Sequence, residues 1–70
     1  MVEVRFSAER LARFGNPILA GLHILEKLRE ADVPATGLLY VVAAETGILE
    51  IEFEPDLAGS DDTLIYRWKP

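Results

Sequence analysis

The sequence contains no cysteine and only one histidine. The missing cysteine excludes disulfide bridges, thiolate metal ligands and thiol nucleophiles. A zinc site needs three or four ligands and a general base needs a positioned partner, and the sequence offers neither around His23. We therefore predict no enzyme, no cofactor and no metal site, and we expect His23 to be an ordinary surface histidine.

A long apolar run is also missing. The longest one, residues 37–44, is far shorter than the roughly 20 residues that a membrane helix needs. Near the N-terminus, Glu3 and Arg5 interrupt the apolar residues, which argues against a secretory signal. We expect a soluble, cytoplasmic protein without a membrane partner.

The length and the apolar content predict one compact unit. The chain has 70 residues, and 50% of them are hydrophobic, so we expect a single domain over residues 1–70. A domain of this size buries only roughly 60% of the surface that its unfolded chain exposes. Without disulfides such a small core is marginal, which favours association with a partner.

The first half of the chain predicts a strand followed by two helices. Apolar and charged residues alternate over residues 2–6, as in a half-buried strand. Ser7 is a suitable cap for a short helix that ends at Gly15. Asn16 and Pro17 then start a longer helix that we expect to run to about Asp32.

The longer helix is expected to bury one apolar stripe, with polar side chains opposite. The stripe consists of Ile18, Gly21, Leu22, Ile24, Leu25 and Leu28, and the polar side of His23, Glu26, Lys27 and Glu30. Glycine costs about 1 kcal/mol relative to alanine inside a helix. We therefore expect Gly21 to mark a close approach of the helix to the sheet.

The second half predicts three strands. Residues 38–44 and 48–54 flank Glu45, Thr46 and Gly47, which predicts a hairpin in which Ala44 pairs with Ile48. After a polar loop, residues 63–68 form the last strand, which completes a three-stranded meander. The expected inward-facing residues are Leu39, Val41, Ala43, Leu49, Ile51, Phe53, Leu64, Tyr66 and Trp68.

Together these elements predict an α+β fold in the order β-α-α-β-β-β. We expect one four-stranded, mostly antiparallel sheet with two helices packed on one face. The first strand is expected at an edge beside residues 63–68.

Charge is distributed unevenly along the chain. Acidic and basic residues balance over residues 1–32, so the net charge of −5 resides in residues 33–70. Glu50, Glu52 and Glu54 project from one side of a strand in a row that resembles a line of phosphates. The simpler interpretation is a solvated strand face that charge protects from edge pairing.

An apolar strip accompanies this acidic row. In the predicted hairpin, Leu38, Tyr40 and Val42 share the outer face with the glutamates. An apolar strip rimmed by charge is typical of a protein interface. The alternatives are that helix or terminal residues cover the strip, or that the register is shifted by one residue, which would move the strip into the core.

The opening of the chain resembles one known family. A strand over residues 2–6 that is followed by two helices resembles the start of ribbon-helix-helix DNA-binding proteins. The resemblance implies that Glu3 and Arg5 would read the major groove. Glu3 would repel phosphate, and the whole chain is acidic, so we do not predict direct binding of nucleic acid.

These observations predict a small non-enzymatic protein-interaction module, an accessory or inhibitory factor. Its expected partner is another protein or a second copy of itself. The alternatives are an acidic nucleic-acid mimic in a basic groove of a target protein, or a homo-oligomeric structural protein. The predicted binding residues are Leu38, Tyr40, Val42, Glu50, Glu52 and Glu54.

Overall fold

The computed structural model describes residues 1–38, 41–59 and 61–70. Its elements are β1 (Val2–Ser7), α1 (Ala8–Ala12), α2 (Pro17–Glu30), β2 (Ala35–Leu38), β3 (Val41–Ala44), β4 (Ile48–Glu54) and β5 (Thr63–Lys69). The predicted α+β class with two helices and antiparallel strands is confirmed. Within the described part of the chain, no helix is long and apolar enough to cross a membrane.

Both helices begin where their capping residues predict. The Arg10 backbone N–H donates to the Ser7 hydroxyl at 3.2 Å and opens α1. The Ile18 backbone N–H donates to Asn16 Oδ1 at 2.7 Å, and Pro17 occupies the first position of α2. The longer helix ends at Glu30, shortly before the expected end.

The strands form two sheets instead of the single four-stranded sheet that the sequence predicts. One sheet has three antiparallel strands in the order β1-β5-β4, and the other is the antiparallel pair β2-β3. The expected place of β1 beside β5 is confirmed, with Val4 opposite Tyr66. The long final strand is therefore the centre of the larger sheet.

The predicted hairpin between residues 38–44 and 48–54 is wrong. The first segment does not form one strand, because Leu38 at the end of β2 pairs with Val41 at the start of β3. The other neighbour of residues 48–54 in the predicted sheet is the last strand, and this pairing is present: β4 pairs with β5, which places Glu50 opposite Arg67. Opposite charges on facing strands stabilise this pairing, whereas the apolar residues of the preceding segment offer the glutamates no counterion.

The inner face of the three-stranded sheet carries the apolar side chains. The register aligns Val2, Val4 and Phe6 of β1 with Trp68, Tyr66 and Leu64 of β5, in that order. On the other side of β5, the same three residues face Leu49, Ile51 and Phe53 of β4. The buried core joins this face to α2 and to the segment after it, and it consists of Phe6, Ile24, Leu28, Val33, Ala35 and Tyr66. The shared face that the alternation predicts for β4 and β5 is confirmed.

The orientation of α2 differs from the predicted stripe. Ile24 and Leu28 are buried as expected, but Ile18 and Leu22 are exposed. A Cβ atom added at Gly21 would have no neighbour within 4 Å, so the predicted close approach there is wrong. The close approach occurs at Gly37 in β2, where an added Cβ would lie 3.3 Å from Cδ2 of Leu25 on α2.

The short strand β3 faces the opposite way from the prediction. Val42 is half-buried and packs against the core, whereas Val41 is 63% exposed. Ala43, which the sequence also predicts to face inward, is exposed. The pairing with β2 explains the difference, because the register of a strand pair determines which side chains of each strand face the core. The predicted inward residue Leu39 lies outside the described residues.

Candidate interaction surface

The outer face of the three-stranded sheet carries a network of alternating charges. Arg67 Nε donates to Glu3 Oε1 at 2.9 Å, and Arg5 Nε donates to Glu3 Oε2 at 3.2 Å. Arg67 also donates to Glu52, so one guanidinium joins all three strands. At the end of the sheet, Lys69 Nζ lies 3.7 Å from Glu50 Oε1.

These contacts shift the pKa values of Glu3 and Arg67. Hydrogen bonds from Arg5 and then from Arg67 lower the pKa of the Glu3 carboxyl below its ordinary value. Hydrogen bonds to Glu52 and then to Glu3 raise the pKa of Arg67. Each of the two groups therefore favours the charged form of the other.

The structure does not bring the six predicted binding residues together on one face. Glu50, Glu52 and Glu54 lie on the outer face of β4, whereas Val42 packs against the core from the other sheet. Leu38 is the last residue of β2, but its side chain lies outside the described part of the structure, as does all of Tyr40. The role of the six residues in binding remains a prediction.

An apolar groove lies between α2 and the strands. It has a volume of about 380 Å³, and none of its lining residues is charged. Gly21 and Ile24 form its helical wall, and Val41, Ile51 and Tyr66 are among its strand residues. Burial raises the pKa of the Tyr66 hydroxyl. Because Gly21 has no side chain, the helical wall leaves room for an apolar group.

One edge of β4 borders this groove. We define the β4 edge as the side of Ile48–Glu54 away from β5, where no strand of the described residues is paired. Ile51 and Phe53 point to the inner face of the sheet, yet each is 56% exposed. Among the described residues, the edge therefore combines a strand side without a paired neighbour and large apolar side chains that are more than half exposed.

The alternation within β4 predicted this apolar face, but not its exposure. Leu49, Ile51 and Phe53 were expected to lie under helices. The helix instead packs towards β1, β2 and β3. The signal that could have indicated an uncovered face was the shortage of helix, because a helix of 14 residues cannot cover three strands and a second sheet.

His23 does not lie on a plain polar surface as predicted. It is half-buried, with its ring 6.0 Å from the Phe6 ring and 5.1 Å from the Phe14 ring.

The Ser7 hydroxyl donates to Asp61 Oδ2 at 2.6 Å, and Asp61 Oδ1 accepts from the Glu9 backbone N–H. This arrangement uses Ser7 and Asp61 to cap α1, with the hydroxyl proton directed at the carboxylate.

The acidic loop after β4 holds itself together through backbone contacts. Asp56 Oδ1 accepts from the backbone N–H groups of Ala58 and Gly59 at 3.1 and 3.0 Å. Asp62 Oδ1 accepts from the Asp56 backbone N–H at 2.9 Å. Over residues 1–38, 41–59 and 61–70, no group of three or more potential metal ligands is clustered. These carboxylates act as turn-forming acceptors.

Comparison of this chain with protein-family models, with curated proteins and with solved structures finds no match.

Proposed function

We propose that this protein is a non-enzymatic interaction module, an accessory or inhibitory factor, that binds an extended segment of another protein along the β4 edge. The observation that carries the proposal is the exposure of Ile51 and Phe53 on the apolar side of a strand that, among the described residues, pairs on one edge only. The bound segment would become a fourth strand of the sheet.

The backbone of β4 supports this mode of binding. A strand at a sheet edge offers unpaired N–H and C=O groups that act as a template for another chain. β4 has seven residues, so a complementary segment of similar length would span about 23 Å. Backbone hydrogen bonds would contribute affinity, and the side chains on each face would select the sequence.

The apolar side chains supply the second part of the recognition. Residues of the segment that face inward would cover Ile51 and Phe53 and extend into the groove beside Gly21. Covering an exposed aromatic side chain is among the largest contributions to binding at protein interfaces. The inward positions of the partner are therefore expected to be apolar.

The charges on β4 define the chemistry of the outward positions. Along its paired edge, β4 faces a strand in which Arg67 and Lys69 reach Glu52 and Glu50. A segment on the other edge meets the same row of carboxylates, and Glu54 makes no ion pair with any described residue. Lysine or arginine at the outward positions fits this row, so the partner segment alternates basic and apolar residues.

The same charges disfavour the two alternatives. If two copies paired edge to edge through β4, the glutamates of one copy would lie against those of the other, which is destabilising. A mimic of nucleic acid needs a face of uniformly negative charge, as a line of phosphates has. Here Arg67 and Lys69 lie beside Glu52 and Glu50, so the outer face carries both signs of charge.

A designed peptide tests the proposal. The probe is a seven-residue peptide of alternating valine and lysine, matched to the seven residues of β4. Binding to the whole protein is followed through the backbone amide NMR signals. We expect the β4 signals to shift, with weaker effects from a peptide of alternating valine and glutamate and from one in which the valines and lysines are separated into blocks.

Substitutions in the protein locate the contact. Phe53→Ser should weaken binding of the valine–lysine peptide by about tenfold or more, because it removes an aromatic anchor. Leu19→Ser is the matched control, since Leu19 is similarly exposed at 49% but lies on α2 and does not line the groove. Replacing Glu50, Glu52 and Glu54 with glutamine should slow association and reduce its dependence on salt.

Two results would contradict the proposal. Equal binding by the wild-type protein and by Phe53→Ser would remove the apolar contact from the mechanism. Sedimentation that finds a dimer for the wild-type protein and a monomer for Phe53→Ser would identify a second copy as the occupant of this face.

A further inference from the structure

A second concave site lies next to the apolar groove, and Leu11 lines both. It has a volume of about 470 Å³ and opens between β1, α1 and α2. Four of its lining residues are cations, and none is a carboxylate: Arg5, Arg10, Arg13 and Lys27. In a chain with a net charge of −5, this concentration of positive charge in one cavity is unusual. We call this site the basic pocket.

The carboxylates that neutralise these cations lie around the pocket and not in it. Glu9 contacts Arg13 at 2.6 Å, and Glu30 contacts Lys27 at 3.1 Å, but neither glutamate is a lining residue. Arg10 makes no ion pair with any described residue. Asp61 also lies close by, since it accepts from the hydroxyl of the lining residue Ser7. Among the lining cations, Arg10 is therefore the one that an anion would meet without a carboxylate partner in the described chain.

The remaining walls are apolar and aromatic. Phe6 and Phe14 flank the ring of His23, with the Phe14 and His23 rings tilted by 38° at a centroid distance of 5.1 Å. Phe14 is partly exposed at the pocket, so its ring offers a surface on which a planar group can stack. An aromatic wall beside arginines is a combination that recognises a planar ring joined to an anionic group.

We propose that the basic pocket binds a small phosphorylated ligand with a planar ring, of the size of a mononucleotide. Arg10 and Arg13 contact the phosphate, and Phe14 and His23 contact the ring. The volume lies within the range of about 300–1,000 Å³ that small-molecule sites occupy. The surrounding glutamates favour one phosphate group over a nucleic-acid chain, whose further phosphates they would repel.

Adenosine monophosphate is the probe for this proposal. Titration of the whole protein, followed by backbone amide NMR, should shift the signals of Arg10, Phe14 and His23. Adenosine and inorganic phosphate should each bind at least about tenfold more weakly, because each offers only half of the contacts. Arg10→Gln should weaken binding of adenosine monophosphate by a similar factor.

Lys69→Gln is the matched control, since it changes the net charge equally at a site far from the lining residues. Phe14→Ala distinguishes the two parts of the site, because it should weaken the binding of adenosine monophosphate but leave the binding of inorganic phosphate unchanged. The spectrum of each variant without ligand verifies its fold.

Three results would overturn the proposal: no shift at millimolar adenosine monophosphate, equal weakening by Arg10→Gln and Lys69→Gln, or tighter binding of a single-stranded oligonucleotide than of the mononucleotide.

Discussion

Ile65 and Tyr66 are consecutive residues of the central strand β5, and both are buried although they face opposite sides of the sheet. Tyr66 packs in the core with Phe6 and Ile24. Ile65 is 0% exposed on the charged outer face, where the register places it between Arg5 and Glu52. The aliphatic parts of long charged side chains commonly cover apolar surface in this way.

This relationship predicts that Ile65 contributes to stability as a core residue does. Ile65→Ala should lower the free energy of unfolding by about 2–5 kcal/mol, a large part of the total in a domain of this size. The matched control is Ile48→Ala on the same face, where Ile48 is 61% exposed. It should change stability by no more than about 0.5 kcal/mol. Urea denaturation measures both, and equal effects would mean that the outer face does not bury Ile65.

The open space at Gly21 predicts a stabilising substitution. An added Cβ would have no neighbour within 4 Å, and the residue lies inside α2. Gly21→Ala should therefore raise the free energy of unfolding by about 0.5–1 kcal/mol through better helix propensity. Gly37→Ala provides the contrast, because its Cβ would approach Leu25 Cδ2 to 3.3 Å. A loss of stability in Gly21→Ala would place the helix closer to the sheet than this structure does.

The glycine in the turn before β4 is expected to be sensitive to substitution. Gly47 has a φ of +75°, and an added Cβ would overlap the Lys69 carbonyl oxygen and lie 2.8 Å from Trp68 Nε1. It would also disturb the hydrogen bond that Trp68 Nε1 donates to the Thr46 carbonyl at 2.7 Å.

Gly47→Ala should therefore cost more than the roughly 1–2 kcal/mol of a left-handed alanine alone. Gly15→Ala isolates that conformational cost, since Gly15 has a φ of +66° but open space around its Cα. Thermal unfolding of both variants measures the difference. If the two variants had the same melting temperature, the contact between Gly47 and the end of β5 would be absent.

The cap of α1 predicts a dependence of stability on pH. Hydrogen bonds from the Ser7 hydroxyl and the Glu9 backbone N–H lower the pKa of Asp61 below its ordinary value of 3.8. A carboxyl whose pKa is lower in the folded state stabilises the fold above its unfolded pKa, and the stabilisation is lost as pH falls through the folded pKa. Wild type should therefore exceed Asp61→Asn in stability at pH 7, and the gap should close as pH falls below 3.8.

Urea denaturation at a series of pH values checks this prediction. Glu26→Gln is the control, because Glu26 is exposed and makes no ion pair with any described residue. It should follow the wild-type pH profile. A gap between wild type and Asp61→Asn that stays constant down to acid pH would assign the effect to packing instead of charge.

Local signals explain which parts of the fold could be predicted. Ser7, Asn16 and Pro17 mark helix starts through contacts with residues one to three positions away, so the sequence alone was sufficient. The alternation in β1, β4 and β5 depends only on strand geometry, and the faces that it predicted are those of the structure.

Partner choice between strands is not a local property, and here the prediction was wrong for one pair. The predicted sheet placed residues 48–54 between the preceding apolar segment and the final strand. The pairing with the final strand formed, where Arg67 and Lys69 offer counterions for the glutamates, but β3 of the apolar segment paired with β2 instead. The predicted composite site depended on the pairing that did not form, so Val42 and the three glutamates lie in different sheets.

The sequence by itself determined the α+β class, the starts of both helices and the alternation of apolar and charged residues in β1, β4 and β5, because each depends on neighbours within a few positions. Only the tertiary structure decided that β3 pairs with β2 and not with β4, which side of α2 is buried, and that Ile51 and Phe53 stay exposed. It also gathered Arg5, Arg10 and Lys27 from three elements into one pocket. Those outcomes depend on contacts between residues distant in the chain, where packing and charge complementarity compete among several arrangements that local patterns allow equally.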